Sequence, residues 1–139
     1  MGSTVVFVPD IVIARRIPTL VYRDIAAAHE FLTTVFGFEP GDIVRAPDGT
    51  VVHAEVTAGD GVLWLHQVSE QLGLRSPQDL GGCTEGMTIV VGDVDAHHRH
   101  VQQHGADIIH PPTDQPYGFR DYSVRDLEQR FWSFATPLT

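Results

Sequence analysis

The sequence predicts an α+β fold built from two βαβββ modules, and three observations carry that expectation. Ile17 to Asp24 (IPTLVYRD) and Gly86 to Asp93 (GMTIVVGD) are β-rich runs that both end in aspartate, 69 residues apart. A helical stretch closed by glycine follows each run. Trp64 and Ser133, late in the two halves, repeat the same displacement. A shared offset between separate landmarks is the sequence mark of a duplicated unit.

The elements follow in order. Asp24 and Asp93 stand where an N-cap side chain accepts a backbone N–H. The helices run over Ile25 to Phe36 (IAAAHEFLTTVF) and Val94 to His104 (VDAHHRHVQQH). Gly37 and Gly105 stop them, since a residue without Cβ enters the left-handed conformation at little cost. Three strands are expected after each helix. In the first half they span about 39–46, 50–58 and 61–67, with Asp48-Gly49 and Asp60-Gly61 as hairpin turns. In the second half they span about 106–111, 117–125 and 130–135, and Asp126-Leu127-Glu128-Gln129 occupies the place of the second turn. The first module thus covers about 17–67 and the second about 86–136, within one domain over 1–139. The polar stretch 68–85 (VSEQLGLRSPQDLGGCTE) reads as a connector. The stretch 5–16 (VVFVPDIVIARR) precedes the first expected strand, placed to add an edge strand or wrap a partner.

Composition bounds the function. The chain has 139 residues, 42% hydrophobic and 19% charged, enough for a globular core. No apolar run approaches the ~20 residues of a membrane span, and the opening MGSTVVFVPD has no basic leader, so a cytoplasmic location is expected. The single cysteine, Cys83, fits a reducing compartment. Nine basic residues, all arginine, face eighteen acidic ones, for a net charge of −9. Both halves are acidic, so no basic stripe for nucleic acid or anionic membrane is expected. A small molecule is the expected partner. No nucleophile elbow, P-loop or dinucleotide fingerprint is present.

Tyr117 to Ala135 (YGFRDYSVRDLEQRFWSFA), with Arg23 to Phe38 (RDIAAAHEFLTTVFGF) and the βαβββ duplication, resembles the vicinal oxygen chelate superfamily. This is the group of glyoxalase I, bleomycin-resistance proteins, fosfomycin-resistance enzymes and extradiol dioxygenases. Tyr117, Gly118, Arg120, Arg125, Asp126, Trp132 and Phe134 fit its C-terminal signature, whereas Leu127 stands for the usual proline and Gln129 for the usual glycine. The resemblance implies an incomplete barrel, a homodimer, and in the enzymes a divalent metal held by four side chains. Those four places fall here on Ile17, Trp64, Gly86 and Ser133. Ile, Trp and Gly offer no donor and a lone Ser binds hard metals poorly, so neither metal nor other cofactor is expected.

Strand alternation then gives the expected lining. Trp64 brings Val62 and His66, Ser133 brings Phe131 and Ala135, Ile17 brings Thr19, and Gly86 brings Thr88. Such a wall suits a flat hydrophobic or aromatic guest. Stacking falls to Trp64 and Phe131, against Ile17. Orientation falls to Thr19, Thr88, His66, Ser133 and Arg120, with Tyr117 as a lip. His97, His100 and His104 share a helix face, read as solvated rather than as a metal site. The expected function is metal-independent binding of such a molecule, with sequestration of a drug-like compound as in antibiotic resistance proteins. The alternative is a glyoxalase-like lyase or isomerase in the same cavity. A third reading is a regulatory subunit with a collapsed cavity.

Overall fold

The structure, a computed structural model, describes residues 9–139. Module one comprises β1 (Thr19–Tyr22), α1 (Ile25–Thr34), β2 (Glu39–Arg45), β3 (Val51–Ala58) and β4 (Gly61–Gln67). A connector holding the short α2 (Pro77–Leu80) leads to module two: β5 (Met87–Val90), α3 (Val94–Gln103), β6 (Asp107–Asp114), β7 (Phe119–Arg125) and β8 (Phe131–Pro137). The sheets have orders β1-β4-β3-β2 and β5-β8-β7-β6, with the first strand of each module parallel to the last. The duplication extends to register. Thr19 pairs with Trp64 and Thr88 with Ser133, both residues displaced by 69. The two four-stranded sheets are not closed into a barrel.

The expected caps form. Asp24 Oδ1 accepts from Ala27 N at 3.0 Å, and Asp93 Oδ1 from Ala96 N at 3.1 Å. Gly37 and Gly105 take φ of +81° and +72° after the helices. Three details differ from the sequence reading. The β3–β4 hairpin turns on Gly59 (φ +62°) and Asp60, so Gly61 is already a strand residue. The connector forms a helical turn because Ser76 caps it, Pro77 opens it and Gly81 closes it at φ +76°. β6 runs on through Pro111 and Pro112, tolerated because it is an edge strand with register shifts there. Of the stretch 5–16, residues 5–8 lie outside the described residues. Residues 9–16 form a turn and coil, not an edge strand, with Ile11, Val12 and Ile13 exposed.

One apolar core spans both modules. Leu20, Tyr22, Leu63 and Leu65 join the buried residues of α1 in this core, and Trp132, Phe134 and Tyr122 lie on the helix side of the second sheet. Phe36, just past α1, packs edge-on to Phe134 at 4.9 Å and Trp132 at 5.4 Å. The β7–β8 turn locks the join. Asp126 Oδ2 accepts from Tyr22 Oη at 2.6 Å and Trp132 Nε1 at 3.0 Å. Glu128 accepts from the backbone N–H groups of Arg23 and Asp24 and from Ser76 Oγ. Arg130 Nη2 donates to the Val21 carbonyl at 2.7 Å, and its guanidinium lies 5.0 Å from the centre of the Tyr22 ring. Burial, reinforced by the Asp126 carboxylate, raises the Tyr22 phenol well above its ordinary pKa. Much of the C-terminal signature therefore ties module two to module one. No helix among the described residues is long and apolar enough to cross a membrane.

Candidate functional site

Strand alternation divides each sheet into a helix-covered face and an open one. In β4, Leu63 and Leu65 are buried while Val62, Trp64 and His66 remain accessible; in β8, Trp132 and Phe134 are buried while Phe131 and Ser133 remain accessible. Thr19 and Thr88 are exposed on the paired strands. Thus Thr19, Trp64, His66, Thr88, Phe131 and Ser133 occupy the faces turned away from the helices. Trp64 is 38% exposed although it sits within a sheet. The His53 ring meets its indole edge-on at 5.4 Å, and Glu55 Oε2 lies 3.7 Å from His53 Nε2. His66 Nδ1 donates to the Gln67 carbonyl at 2.6 Å, which leaves its Nε2 as an acceptor.

In module two a chain of polar groups crosses the open face. His110 Nδ1 donates to the Pro111 carbonyl at 2.9 Å, so Nε2 accepts from Ser123 Oγ at 3.0 Å. Ser123 Oγ then accepts from Ser133 Oγ at 2.9 Å. The Ser133 hydroxyl is left offering lone pairs outward. Sequence reasoning assigned nothing to His110 or Ser123. Their cross-strand pairing was the missing signal, since β6 places His110 opposite Ser123 and β8 places Ser133 opposite the same residue.

Two candidates stand elsewhere. Arg120 donates to Asp95 of α3 at 3.0–3.3 Å and to Asp114 at 3.0 Å, so its guanidinium is directed to the helix and the neighbouring strand. Its partners are not the acids of its own loop. Tyr117 is exposed in the β6–β7 turn and donates to Asp121 Oδ2 at 2.5 Å, while Gln115 Nε2 donates to Oδ1 of the same carboxylate. This hydrogen bond raises the Tyr117 pKa.

Ile17 and Thr88 share the wall of a cavity of about 610 Å³ between the modules. Thr19 and Phe131 share a smaller recess of about 260 Å³. Trp64, His66 and Ser133 line neither of them. The places that the resemblance assigns to metal ligands do not fit a metal. Of Ile17, Trp64, Gly86 and Ser133 only Ser133 carries a ligand oxygen, and the Phe131 ring lies 2.5 Å from where a Cβ at Gly86 would stand. Among the described residues no group of three or more His, Cys, Asp or Glu is placed to hold an ion.

Of the helix histidines, His100 and His104 are exposed as expected, whereas His97 is half-buried and turned inward. The His97 ring lies 4.1 Å from that of Phe134, donates from Nε2 to the Phe36 carbonyl at 2.8 Å, and accepts at Nδ1 from Tyr122 Oη at 2.6 Å. His100 Nε2 reaches the Thr34 carbonyl at 3.0 Å. These rings fasten α3 to the end of α1, because α3 packs across the join of the two modules. Cys83 is an exposed free thiol.

Comparison with known proteins gives one consistent result. The family model described as Glyoxalase/Bleomycin resistance protein/Dioxygenase superfamily matches residues 14–134. Among solved structures, TioX from Micromonospora sp. ML1 is 32% identical, with a TM-score of 0.68 over 91% of this chain and 98% of that one. A glyoxalase/bleomycin resistance protein/dioxygenase from Nocardioides is 21% identical, with a TM-score of 0.63 over 92% of this chain and 87% of its own, a likeness of fold. An uncharacterized protein of Mycobacterium tuberculosis is 31% identical over 124 residues, 87% of this chain and 73% of that protein.

Proposed function

The chain belongs to the glyoxalase/bleomycin resistance protein/dioxygenase superfamily, and within that fold we propose that it binds a small, flat, largely hydrophobic or aromatic molecule without using a metal. The observation that carries this reading is Trp64. Its strand neighbours Leu63 and Leu65 are buried, yet the indole stands 38% exposed on the open face, braced by His53. A large ring held in place and left uncovered is a stacking platform. Phe131 over Gly86 supplies a second apolar surface. Ile17, Thr19 and Thr88 belong to the wall, while the acceptor atoms of His66 and Ser133 select ligands that carry donors. Arg120 and Tyr117 are engaged with Asp95, Asp114 and Asp121 and stand outside this proposed site. Sequestration of a drug-like compound, in a cytoplasmic setting suited to the free Cys83, completes the reading.

A homodimer is part of the same proposal. Val90, 59% exposed on β5, is an apolar group that a second copy would cover. A second reading, turnover of the lyase or isomerase kind, is favoured by one observation: the Ser133–Ser123–His110 chain provides a path for a proton. Under that reading His110→Gln abolishes turnover and spares binding.

Fluorescence tests the binding proposal. Trp132, the other tryptophan, is fully buried, so Trp64 is the indole that a guest on the open face reaches. Titration with a panel of quinoline and naphthalene compounds is expected to quench or shift the emission. Trp64→Ala is expected to remove that response and weaken binding about 30-fold, the equivalent of about 2 kcal/mol. An unchanged affinity in Trp64→Ala would sink the assignment.

A further inference from the structure

The two modules differ in length at the turn between their last two strands, and the 610 Å³ cavity lies at that turn in module one. In module two the residues after β7 are Asp126, Leu127, Glu128, Gln129 and Arg130. Their side chains fill the gap between modules by bonding Tyr22, the Arg23 and Asp24 backbone, and the Val21 carbonyl. Register places Thr57 opposite Val62 as Arg125 is opposite Phe131. The matching closing segment of module one is therefore Ala58, Gly59, Asp60 and Gly61, one residue shorter and nearly without side chains. Val62 takes the place of Phe131. The volume filled on one side of the molecule is left vacant on the other.

The vacancy has a definite chemistry. Its floor includes Val62 and Met87, with hydroxyls from Thr57 and Thr88 in the wall. Arg15 and Arg16 reach its rim from the coil before β1, and neither makes an ion pair among the described residues. Asp60 is the one carboxylate in the lining and stands with the β3–β4 turn. In a chain of net charge −9, two guanidinium groups beside a hollow with an apolar floor are a local reversal of sign. We propose that this cavity is a subsite adjoining the proposed stacking site, taking a small amphipathic carboxylate with its anionic group on Arg15 and Arg16 and its ring on the floor. Planar guanidinium forks match a carboxylate in two hydrogen bonds, and the volume falls in the range of small-molecule sites, ~300–1,000 Å³. Asp60 sets polarity by repelling the anionic end toward the arginines. The cavity shares Ile17 and Thr88 with the wall of the proposed stacking site but is lined by neither Trp64 nor Phe131, so occupancy of the two can be told apart.

The test uses 2-naphthoate against 2-naphthamide, its neutral counterpart, on the full chain. The sequence contains two methionines, so methyl-labelled methionine gives two signals, and Met87 reports on the cavity. Naphthoate is expected to shift the Met87 methyl. The amide and the double variant R15Q/R16Q are expected to bind roughly tenfold more weakly or worse. Gly61→Leu is expected to block the site without unfolding the chain, because a Cβ there meets nothing within 4 Å. Equal affinity in R15Q/R16Q, or a Met87 signal unmoved by millimolar naphthoate, overturns the proposal. Quenching of Trp64 with Met87 unmoved does the same, and leaves the stacking site standing.

Discussion

His97 shows how a residue's surroundings override its place in a sequence pattern. At i, i+3 and i+7 with His100 and His104 it reads as one of three rings on an outer helix face. Its partners, Phe36 and Tyr122, lie 61 and 25 positions away, beyond any local pattern. Burial lowers the His97 pKa from its ordinary 6.5, outweighing the upward pull of the bond to the Phe36 carbonyl. The neutral ring uses one nitrogen as donor and the other as acceptor, and a proton on Nδ1 disrupts the bond from Tyr122. The folded state thus takes up this proton less readily than the unfolded chain. Stability from His97 is fully present above about pH 7 and falls as pH drops through 6.5 toward the lower folded value. The loss cannot exceed about 1.4 kcal/mol per pH unit for one proton. Urea midpoints at pH 7.5 and 5.5 should differ more in the wild type than in His97→Gln. Equal differences would show that His97 titrates freely. By contrast, the caps at Asp24 and Asp93 were legible because a cap and its helix are neighbours in the chain.

Glycines divide the same way at the scale of the strand. Gly37 and Gly105 announce themselves after helical stretches, but Gly41 and Gly61 look alike in sequence and serve opposite purposes. Gly41 lies in β2 where the pairing with β3 shifts between Pro40 and Ile43. A Cβ there would stand 2.8 Å from the Glu55 carbonyl oxygen, and backbone cannot yield as a side-chain tip can. Gly61 opens β4 with free space around it. Gly41→Ala should therefore destabilise by about 1–3 kcal/mol. Gly61→Ala should be neutral or stabilising by up to ~1 kcal/mol, since it removes freedom from the unfolded chain. Thermal melts of the two variants under one condition decide the matter, and equal losses would contradict it. Hydrophobic periodicity and turn residues reported where the strands lie along the chain, but not their order within each sheet. Such contacts with a neighbouring backbone depend on a bulge that periodicity does not encode.

Across the whole molecule, the 69-residue repeat was visible from the sequence and the partial barrel was implied by the family resemblance. Which residues join the halves was visible from neither. Leu127 and Gln129 depart from the family's usual turn, and Gln129 takes φ +71°, a conformation that glycine adopts more easily. The turn is held there from outside: its carboxylates bind Tyr22, Trp132, Ser76 and the start of α1. Phe36 of module one lies against Trp132 and Phe134 of module two, so neither module keeps a complete core when the other is removed. The 139 residues should consequently unfold as one unit despite their duplicated architecture. Far-ultraviolet dichroism follows the sheets and helices, near-ultraviolet dichroism follows the packing around Trp132, and fluorescence includes exposed Trp64 of module one. Single-domain behaviour requires all three denaturation curves to coincide at fixed protein concentration. A shared rise in midpoint with concentration would add the contribution of a dimer, which binds the folded state by mass action. If Trp64 reported a transition at lower denaturant than the Trp132 signal, module one would be folding on its own, and the Asp126 and Glu128 contacts would not couple the halves.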